Sequence, residues 1–209
     1  MATLIPPSNS VVLGRRRFLY VVTGLVGAAG AAAAAWPFIA HMNPDASTAA
    51  SGDVVAVDLG ALRPAQRVVV RWHGYPMFVV RRTDGMLAAM QESKFVAQLV
   101  DPTSEKTQQP SYAKNWHRSI DPAYAVLVGV CTRCGCIPDY LDADSPFGVT
   151  GGYMCPCCAS RYDPAGRAYS GAALYNLAIP PYAIEKNAGV LIGKAHPGEP
   201  FSLENVERI

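Results

Sequence analysis

The sequence predicts a mainly β head domain carried on a single N-terminal membrane helix, and three observations predict it. From Phe18 to Pro44 there is no Asp, Glu, Lys or Arg, and the stretch FLYVVTGLVGAAGAAAAAWPFIA is almost wholly apolar. From Asp53 onward, short alternating or β-branched runs are punctuated by Pro and Gly at close intervals. All six cysteines fall between Cys131 and Cys158, a concentration suited to a metal site or a local staple rather than a distributed disulfide framework.

The chain has 209 residues, enough for one domain of ordinary size plus extras. Its 18 Lys and Arg against 16 Asp and Glu leave a net charge of +2, without the basic stripe that a nucleic-acid partner requires. Half the residues are apolar and 16% are charged, which excludes disorder over the whole length and points toward membrane contact.

Residues 1–17 form a basic N-terminus, 18–44 an anchor and 45–53 a linker. At ~1.5 Å rise per residue the anchor crosses a ~30 Å hydrocarbon layer as a helix. Arg15, Arg16 and Arg17 precede it and only Asp45 follows closely, so the positive-inside bias places the N-terminus in the cytoplasm and the head on the outer, oxidising side. Gly24, Gly27, Gly30 and the alanines from Ala28 to Ala35 allow close approach of a neighbouring helix, as in a larger membrane complex. The run Arg15-Arg16-Arg17-Phe18-Leu19 reads as a twin-arginine export signal; a plain start-transfer anchor is the simpler alternative. The apolar stretch exceeds the usual ~7–15-residue signal core, which favours a retained anchor. The small, polar residues from Asp45 to Asp53 read as a flexible hinge, against the alternative of a frayed helix end.

In the head, residues 54–209, strands are expected over Val54–Val57, Val68–Trp72, Met77–Arg82, Ala125–Val130 and Val190–Ile192. Apolar residues at Met86, Leu87, Met90, Phe95 and Leu99 fit a short, interrupted helix over Met86–Val100. Pro102 to Ile120 is polar and reads as a long loop or insertion. No G-x-G-x-x-G, P-loop or G-x-S-x-G occurs between a strand and a helix, so common nucleotide and hydrolase sites find no support.

Cys131 and Cys134 form one C-x-x-C, Cys155 and Cys158 another, and 20 residues separate them. Each such turn brings two sulfurs to one face, and two of them suit a four-thiolate site for zinc, a single iron or an iron–sulfur cluster. Cys136 and Cys157 remain, one per segment, and an oxidising compartment would allow them to pair. The alternative is that all six cysteines form disulfides.

These segments resemble a known family. Cys131-Thr-x-x-Gly-Cys136-Ile-Pro, Gly151-Gly-Tyr-Met-Cys155-Pro-Cys157, Ser160-Arg-Tyr162-Asp-Pro-Ala-Gly166-Arg and Tyr175-Asn-Leu-Ala-Ile-Pro-Pro181-Tyr look like the Rieske iron–sulfur subunit of the bacterial cytochrome bc1 complex, over nearly the whole chain. The resemblance implies an antiparallel β head with a rubredoxin-like cluster-binding subdomain within 125–182. It also implies a [2Fe–2S] cofactor, partners in cytochrome b and cytochrome c1, ubiquinol as reductant, and a place in the bacterial inner membrane and its respiratory chain. A tethered periplasmic head would accept an electron at cytochrome b and swing to deliver it to cytochrome c1.

The family's loops read C-T-H-x-G-C and C-P-C-H-G-S, with two cysteines on one iron, two histidines on the other and the remaining cysteines in a disulfide. By position, Cys131 and Cys155 match the iron-binding cysteines, Cys136 and Cys157 match the disulfide, and Ser160 and Tyr162 match residues that hydrogen-bond the cluster's sulfurs. The histidine positions hold Arg133 and Cys158. Arg is not a ligand, having five donors and no free lone pair, and His41, His73, His117 and His196 lie outside the loops. Cys134 stands where the family usually has Leu, Ala159 replaces Gly, and a G-P-A-P covering loop appears as Gly171-Ala-Ala-Leu174.

The ligand set thereby becomes Cys131, Cys134, Cys155 and Cys158. As general class values, all-cysteine clusters of the plant type lie near ~−400 mV and Rieske clusters at ~−150 to +300 mV. A fall of ~500 mV in a one-electron couple exceeds ~8 powers of ten in equilibrium, at ~59 mV each. The site also lacks the titrating imidazole that would take the quinol's proton. The expectation is an iron–sulfur subunit by architecture with quinol oxidation lost or severely impaired. The alternatives are a four-thiolate zinc or single-iron structural module and a low-potential all-cysteine [2Fe–2S] carrier.

Overall fold

The computed structural model describes residues 10–42, 54–142, 151–185, 189–195, 198 and 201–209. The chain divides into two compact units, Met1–Ala46 and Ser47–Ile209. The expected hinge at 45–53 and residues 1–9 of the basic N-terminus lie outside the described residues.

The described residues of the first unit form one helix, α1 (Ser10–His41). It has an apolar segment, Gly14–Ala40, long enough to cross a membrane. Its side chains from 14 to 40 are exposed all round, as a helix solvated by lipid requires. Near its start Arg16 reaches the Tyr20 hydroxyl one turn on, at 3.3 Å. Pro37 lies within the last turns.

The described residues of the second unit form three antiparallel sheets. The first joins β1 (Val55–Val57), β10 (Gly189–Ile192) and β9 (Tyr182–Glu185) in the order β1-β10-β9. The second joins β2 (Arg67–Trp72), β3 (Tyr75–Arg81) and β4 (Tyr124–Val128) in sequence order. A two-residue turn, His73-Gly74, connects β2 to β3, and both residues have positive φ (48° and 80°), the twist that antiparallel hairpins favour. The third sheet is β5 (Asp139–Leu141), β6 (Gly152–Met154), β7 (Arg161–Tyr162) and β8 (Ala168–Ser170), again in sequence order.

The centre of the core is made by β3 and β4. Met77, Phe78, Val79 and Val80 are buried, as are Ala125, Val126, Leu127 and Val128, so both faces of these strands are covered and their sequences are continuous apolar runs. Phe78 stacks on Tyr153 of β6 with ring centroids 5.5 Å apart and planes 15° from parallel. This contact joins the second sheet to the third. The Phe78 ring occupies the space beside Gly129, where an added Cβ would lie 2.3 Å from it.

The segment expected as one interrupted helix forms two short ones, α2 (Asp84–Ala89) and α3 (Ser93–Val96). Thr83 caps α2, its hydroxyl accepting from the Met86 amide. Glu92 takes an extended conformation (ψ 126°) and ends helical continuity. The polar segment 102–120 is not a surface excursion. Arg118 is fully buried, and its guanidinium donates to the Ala165 carbonyl (3.0 Å), the Leu177 carbonyl (2.8 Å) and Gln109 Oε1 (2.8 Å). These bonds brace the segment 163–178, which follows the second cysteine loop.

Candidate metal centre

Two loops make the site. The first, Cys131–Cys136, follows β4, and the second, Cys155–Ser160, connects β6 to β7. They have the same backbone pattern. In the first, the Gly135 amide donates to the Cys131 carbonyl (2.9 Å) and the Cys131 amide to the Cys136 carbonyl (2.8 Å). In the second, the Ala159 amide donates to the Cys155 carbonyl (2.9 Å) and the Cys155 amide to the Ser160 carbonyl (2.8 Å). The fifth residue of each is left-handed, Gly135 at φ 75° and Ala159 at φ 52°. That reversal turns the third and fourth residues back so that both sulfurs of each C-x-x-C face one point.

The sulfurs of Cys131, Cys134, Cys155 and Cys158 all lie within 4.8 Å of one another. Cys131 Sγ is 3.6 Å from Cys158 Sγ, Cys134 Sγ is 3.4 Å from Cys158 Sγ, and Cys134 Sγ is 3.3 Å from Cys155 Sγ. Cys131 and Cys155 are buried, Cys158 is half-buried and Cys134 is exposed, so the group opens to solvent on one side. Cys136 and Cys157 are joined in a disulfide that ties the two loops together. Their sulfurs also lie within 4.8 Å of those of Cys134 and Cys155, but a disulfide has no thiolate to offer a metal. Among the described cysteines, the four free thiols are therefore the ones that could offer thiolates to a metal.

Each loop's sulfur is also held by a hydroxyl. Ser160 Oγ accepts from the amides of Ala172 (3.2 Å) and Ala173 (3.0 Å), which leaves its proton for Cys158 Sγ at 3.1 Å. Gly171 permits this close approach, because a Cβ there would lie 2.5 Å from Ser160 Cα. Thr132 donates to the Tyr175 carbonyl (2.8 Å), and the Tyr162 hydroxyl sits 3.2 Å from both Cys131 Sγ and Thr132 Oγ1. A thiolate at Cys131 draws the Tyr162 proton.

Burial pushes the Cys155 thiol up. At Cys158 burial acts in the same direction, but the hydrogen bonds from Ser160, Cys134 and Cys155 outweigh it and bring the thiol down to about 6. Metal binding requires all four as thiolates, so loading releases protons.

Arg133 is exposed beside the sulfurs and lines a cavity of about 220 Å³ with Thr132, Ala172, Leu174, Tyr175 and Arg208. It brings no ligand atom to the group. His73 lies in the β2–β3 turn, and His117 Nδ1 is 2.9 Å from Ser119 Oγ. Among the described residues the candidate metal groups contain cysteine alone. His196 and the side chain of His41 lie outside the described residues. Sequence reasoning did not anticipate the Ala172 and Ala173 amides. Backbone donors carry no side-chain signature, and only the nearby Gly171 hints at a close approach.

The donor chemistry allows a direct test against a [2Fe–2S] group held by two cysteines and two imidazoles. That group does not fit here, since among the described residues the site offers four thiols and no imidazole.

Residues 7–45 match the family profile described as Ubiquitinol-cytochrome C reductase Fe-S subunit TAT signal. The ubiquinol-cytochrome c reductase iron-sulfur subunit of Allochromatium vinosum is 43% identical over 185 residues, covering 86% of this chain and 88% of that protein. The protein of the same name from Rhodospirillum rubrum is 44% identical over 179 residues, covering 86% and 91%. A chain of a solved structure titled "Hyperthermophilic respiratory Complex III" superposes with a TM-score of 0.45 and 24% identity, over 83% of this chain and 98% of that one.

Proposed function

The chain belongs to the family of ubiquinol–cytochrome c reductase iron–sulfur subunits, and from that premise we propose a bc1-complex subunit whose metal centre is held by thiolates alone and does not oxidise quinol. Membership makes it a membrane-anchored electron-transfer component of a respiratory complex III. The family's cofactor is a [2Fe–2S] cluster, which supplies one-electron chemistry when bound. In this reading Cys131, Cys134, Cys155 and Cys158 hold the metal.

One observation carries the proposal: four free thiols converge within 4.8 Å, while Arg133 has no lone pair to offer a metal. Four anionic ligands stabilise the oxidised metal and lower its potential far below that of an imidazole-ligated centre. Without an imidazole there is also no group whose protonation couples to electron uptake from a quinol. Arg133 offsets part of the added negative charge but, having donors and no free lone pair, accepts no proton.

The matched leader supports export through the twin-arginine route, which carries folded, cofactor-loaded proteins. We place the N-terminus in the cytoplasm, the anchor at 18–44 in the bacterial inner membrane, and the head, 54–209, in the periplasm beyond a hinge at 45–53. Docking partners in this scheme are cytochrome b and cytochrome c1.

The test is ubiquinol–cytochrome c oxidoreductase activity of the complex purified with this chain, beside one carrying Arg133→His, Cys134→Leu and Cys158→His together. The unaltered chain is expected to be at least about 100-fold slower than the triple variant, consistent with loss of several kcal/mol of driving force. Rapid quinol oxidation by the unaltered complex sinks the proposal.

A further inference from the structure

The pattern of short sulfur–sulfur distances decides how many metal ions the four thiolates can share. A single tetrahedral ion with metal–sulfur bonds of ~2.3 Å places all six sulfur pairs at one separation, ~3.8 Å. A sulfide-bridged iron pair divides its four terminal sulfurs into two pairs. Sulfurs on one iron are that close, while sulfurs on different irons are held apart by the second metal and the bridges between them. A two-iron centre therefore allows two short contacts, with no sulfur belonging to both.

The observed contacts form a connected series instead. Cys131 touches Cys158 (3.6 Å), Cys158 touches Cys134 (3.4 Å) and Cys134 touches Cys155 (3.3 Å). Cys158 and Cys134 each take part in two of them. Pairing Cys131 with Cys155 and Cys134 with Cys158 makes two of the three short contacts run between irons. Pairing Cys131 with Cys158 and Cys134 with Cys155 still leaves the 3.4 Å contact between irons. Pairing within each C-x-x-C leaves all three between irons. The remaining sulfur pairs also fall within 4.8 Å, so no division opens the group enough for a second metal and its bridging sulfides.

The loops themselves point the same way. Both are C-x-x-C turns with identical backbone hydrogen bonds and a left-handed fifth residue, so each delivers its two sulfurs to one point, and the 3.3 to 3.6 Å contacts run across the two loops. The Ser160 hydroxyl is spent on a ligand sulfur, Cys158 Sγ, and Tyr162 on another, Cys131 Sγ. Two hydroxyl donors directed at terminal sulfurs suit the net negative charge of four thiolates around one divalent ion.

We propose that the four thiolates hold one tetrahedral metal ion, zinc or iron, in place of a sulfide-bridged iron pair. The proposal rests on the four-cysteine ligand set put forward above and specifies its occupant. Uptake converts four thiols to thiolates around one M²⁺ with release of up to four protons and no change of oxidation state. With iron the centre carries one electron; with zinc, which has no redox chemistry, the subunit is a structural member of its complex.

The deciding experiment uses the full-length chain, exported by its own leader and purified in detergent, with zinc, iron and acid-labile sulfide measured per chain. One metal ion and no sulfide is the expected result, and visible iron–thiolate absorption separates iron from zinc. Two irons with two sulfides overturn the proposal, as does a chain without metal. The metal-stripped protein is then titrated with Co²⁺, whose tetrahedral thiolate spectrum is expected to saturate at one equivalent. Cys134→Ser is expected to raise half-saturation at least tenfold, with the Cys136–Cys157 disulfide checked by mass to confirm an assembled site; unchanged Co²⁺ binding overturns the proposal. A two-iron centre on the same four cysteines that still fails to oxidise quinol would overturn this inference alone. Active quinol oxidation would overturn the proposed function instead.

Discussion

Ser160 directs its hydroxyl proton at Cys158 Sγ, 3.1 Å away, because its oxygen is already engaged by the amides of Ala172 and Ala173. Polarity at this point is set by backbone that lies 12 and 13 residues further along the chain. Ser160→Ala removes the donor to the Cys158 sulfur and strands both amides. Partners of this kind outside the ligand set are worth about 10- to 100-fold in metal affinity, and the Co²⁺ half-saturation of Ser160→Ala is expected to rise by about tenfold. An unchanged titration would show that the bond does not act on the ligand.

The two cysteine loops differ at one backbone position of equal geometry. Gly135 is left-handed at no steric cost, whereas Ala159 is held at φ 52°. A left-handed non-glycine residue costs about 1–2 kcal/mol, and glycine gives back part of that through the freedom of the unfolded chain. Ala159→Gly is expected to stabilise the head by about 0.5–1 kcal/mol in chemical denaturation. Gly135→Ala, whose Cβ would meet nothing within 4 Å, is expected to destabilise it by about 1 kcal/mol through backbone strain alone.

Asp163 anchors the turn that follows β7. One carboxylate oxygen accepts from the Ala165 and Arg167 amides, and the other meets the Arg167 guanidinium at 2.7 Å, with both side chains buried. Asp163→Ala leaves the Arg167 charge buried without its counter-ion, which costs about 3–5 kcal/mol. Denaturant midpoints of Asp163→Ala, Arg167→Ala and the double variant are expected to show that the second substitution adds far less than its own cost. Simple additivity would refute the pairing.

Two tyrosines outside the membrane helix make the head sensitive to alkali. Burial, with the nearby Asp142 adding to it, pushes the Tyr140 phenol up to about 12, and its hydroxyl donates to the Ala65 carbonyl at 2.9 Å. Burial likewise pushes Tyr182 up to about 12. An unfolded tyrosine titrates near ~10, so the fold favours the neutral form. The resulting stability is complete below pH ~10 and is lost as pH rises through about 12. Denaturation midpoints are expected to fall across that interval, with a shallower fall in Tyr140→Phe; a flat profile would contradict the assignment.

Much of this protein is legible from residue order because the relevant physics is local. An uncharged stretch from Phe18 to Pro44 identifies the membrane helix by composition alone, and β3 and β4 announce themselves as unbroken apolar runs. The C-x-x-C spacing singles out Cys131, Cys134, Cys155 and Cys158 because a tight turn brings positions one and four to the same side. Strands β5 to β8 escape notice, since two or three residues are too few to show a period. The buried Arg118 looks like surface, because the Ala165 and Leu177 carbonyls that receive its guanidinium are brought close only by folding.

What residue order determined, then, is the anchor, the β character of the head and the identity of four converging thiols. Tertiary structure decided how those thiols share space. The three short contacts that link them run between two C-x-x-C motifs separated by 20 residues of chain, which the β5–β6–β7 pairing and the disulfide hold together. The number of metal ions depends on distances between loops, and those distances belong to the packed core.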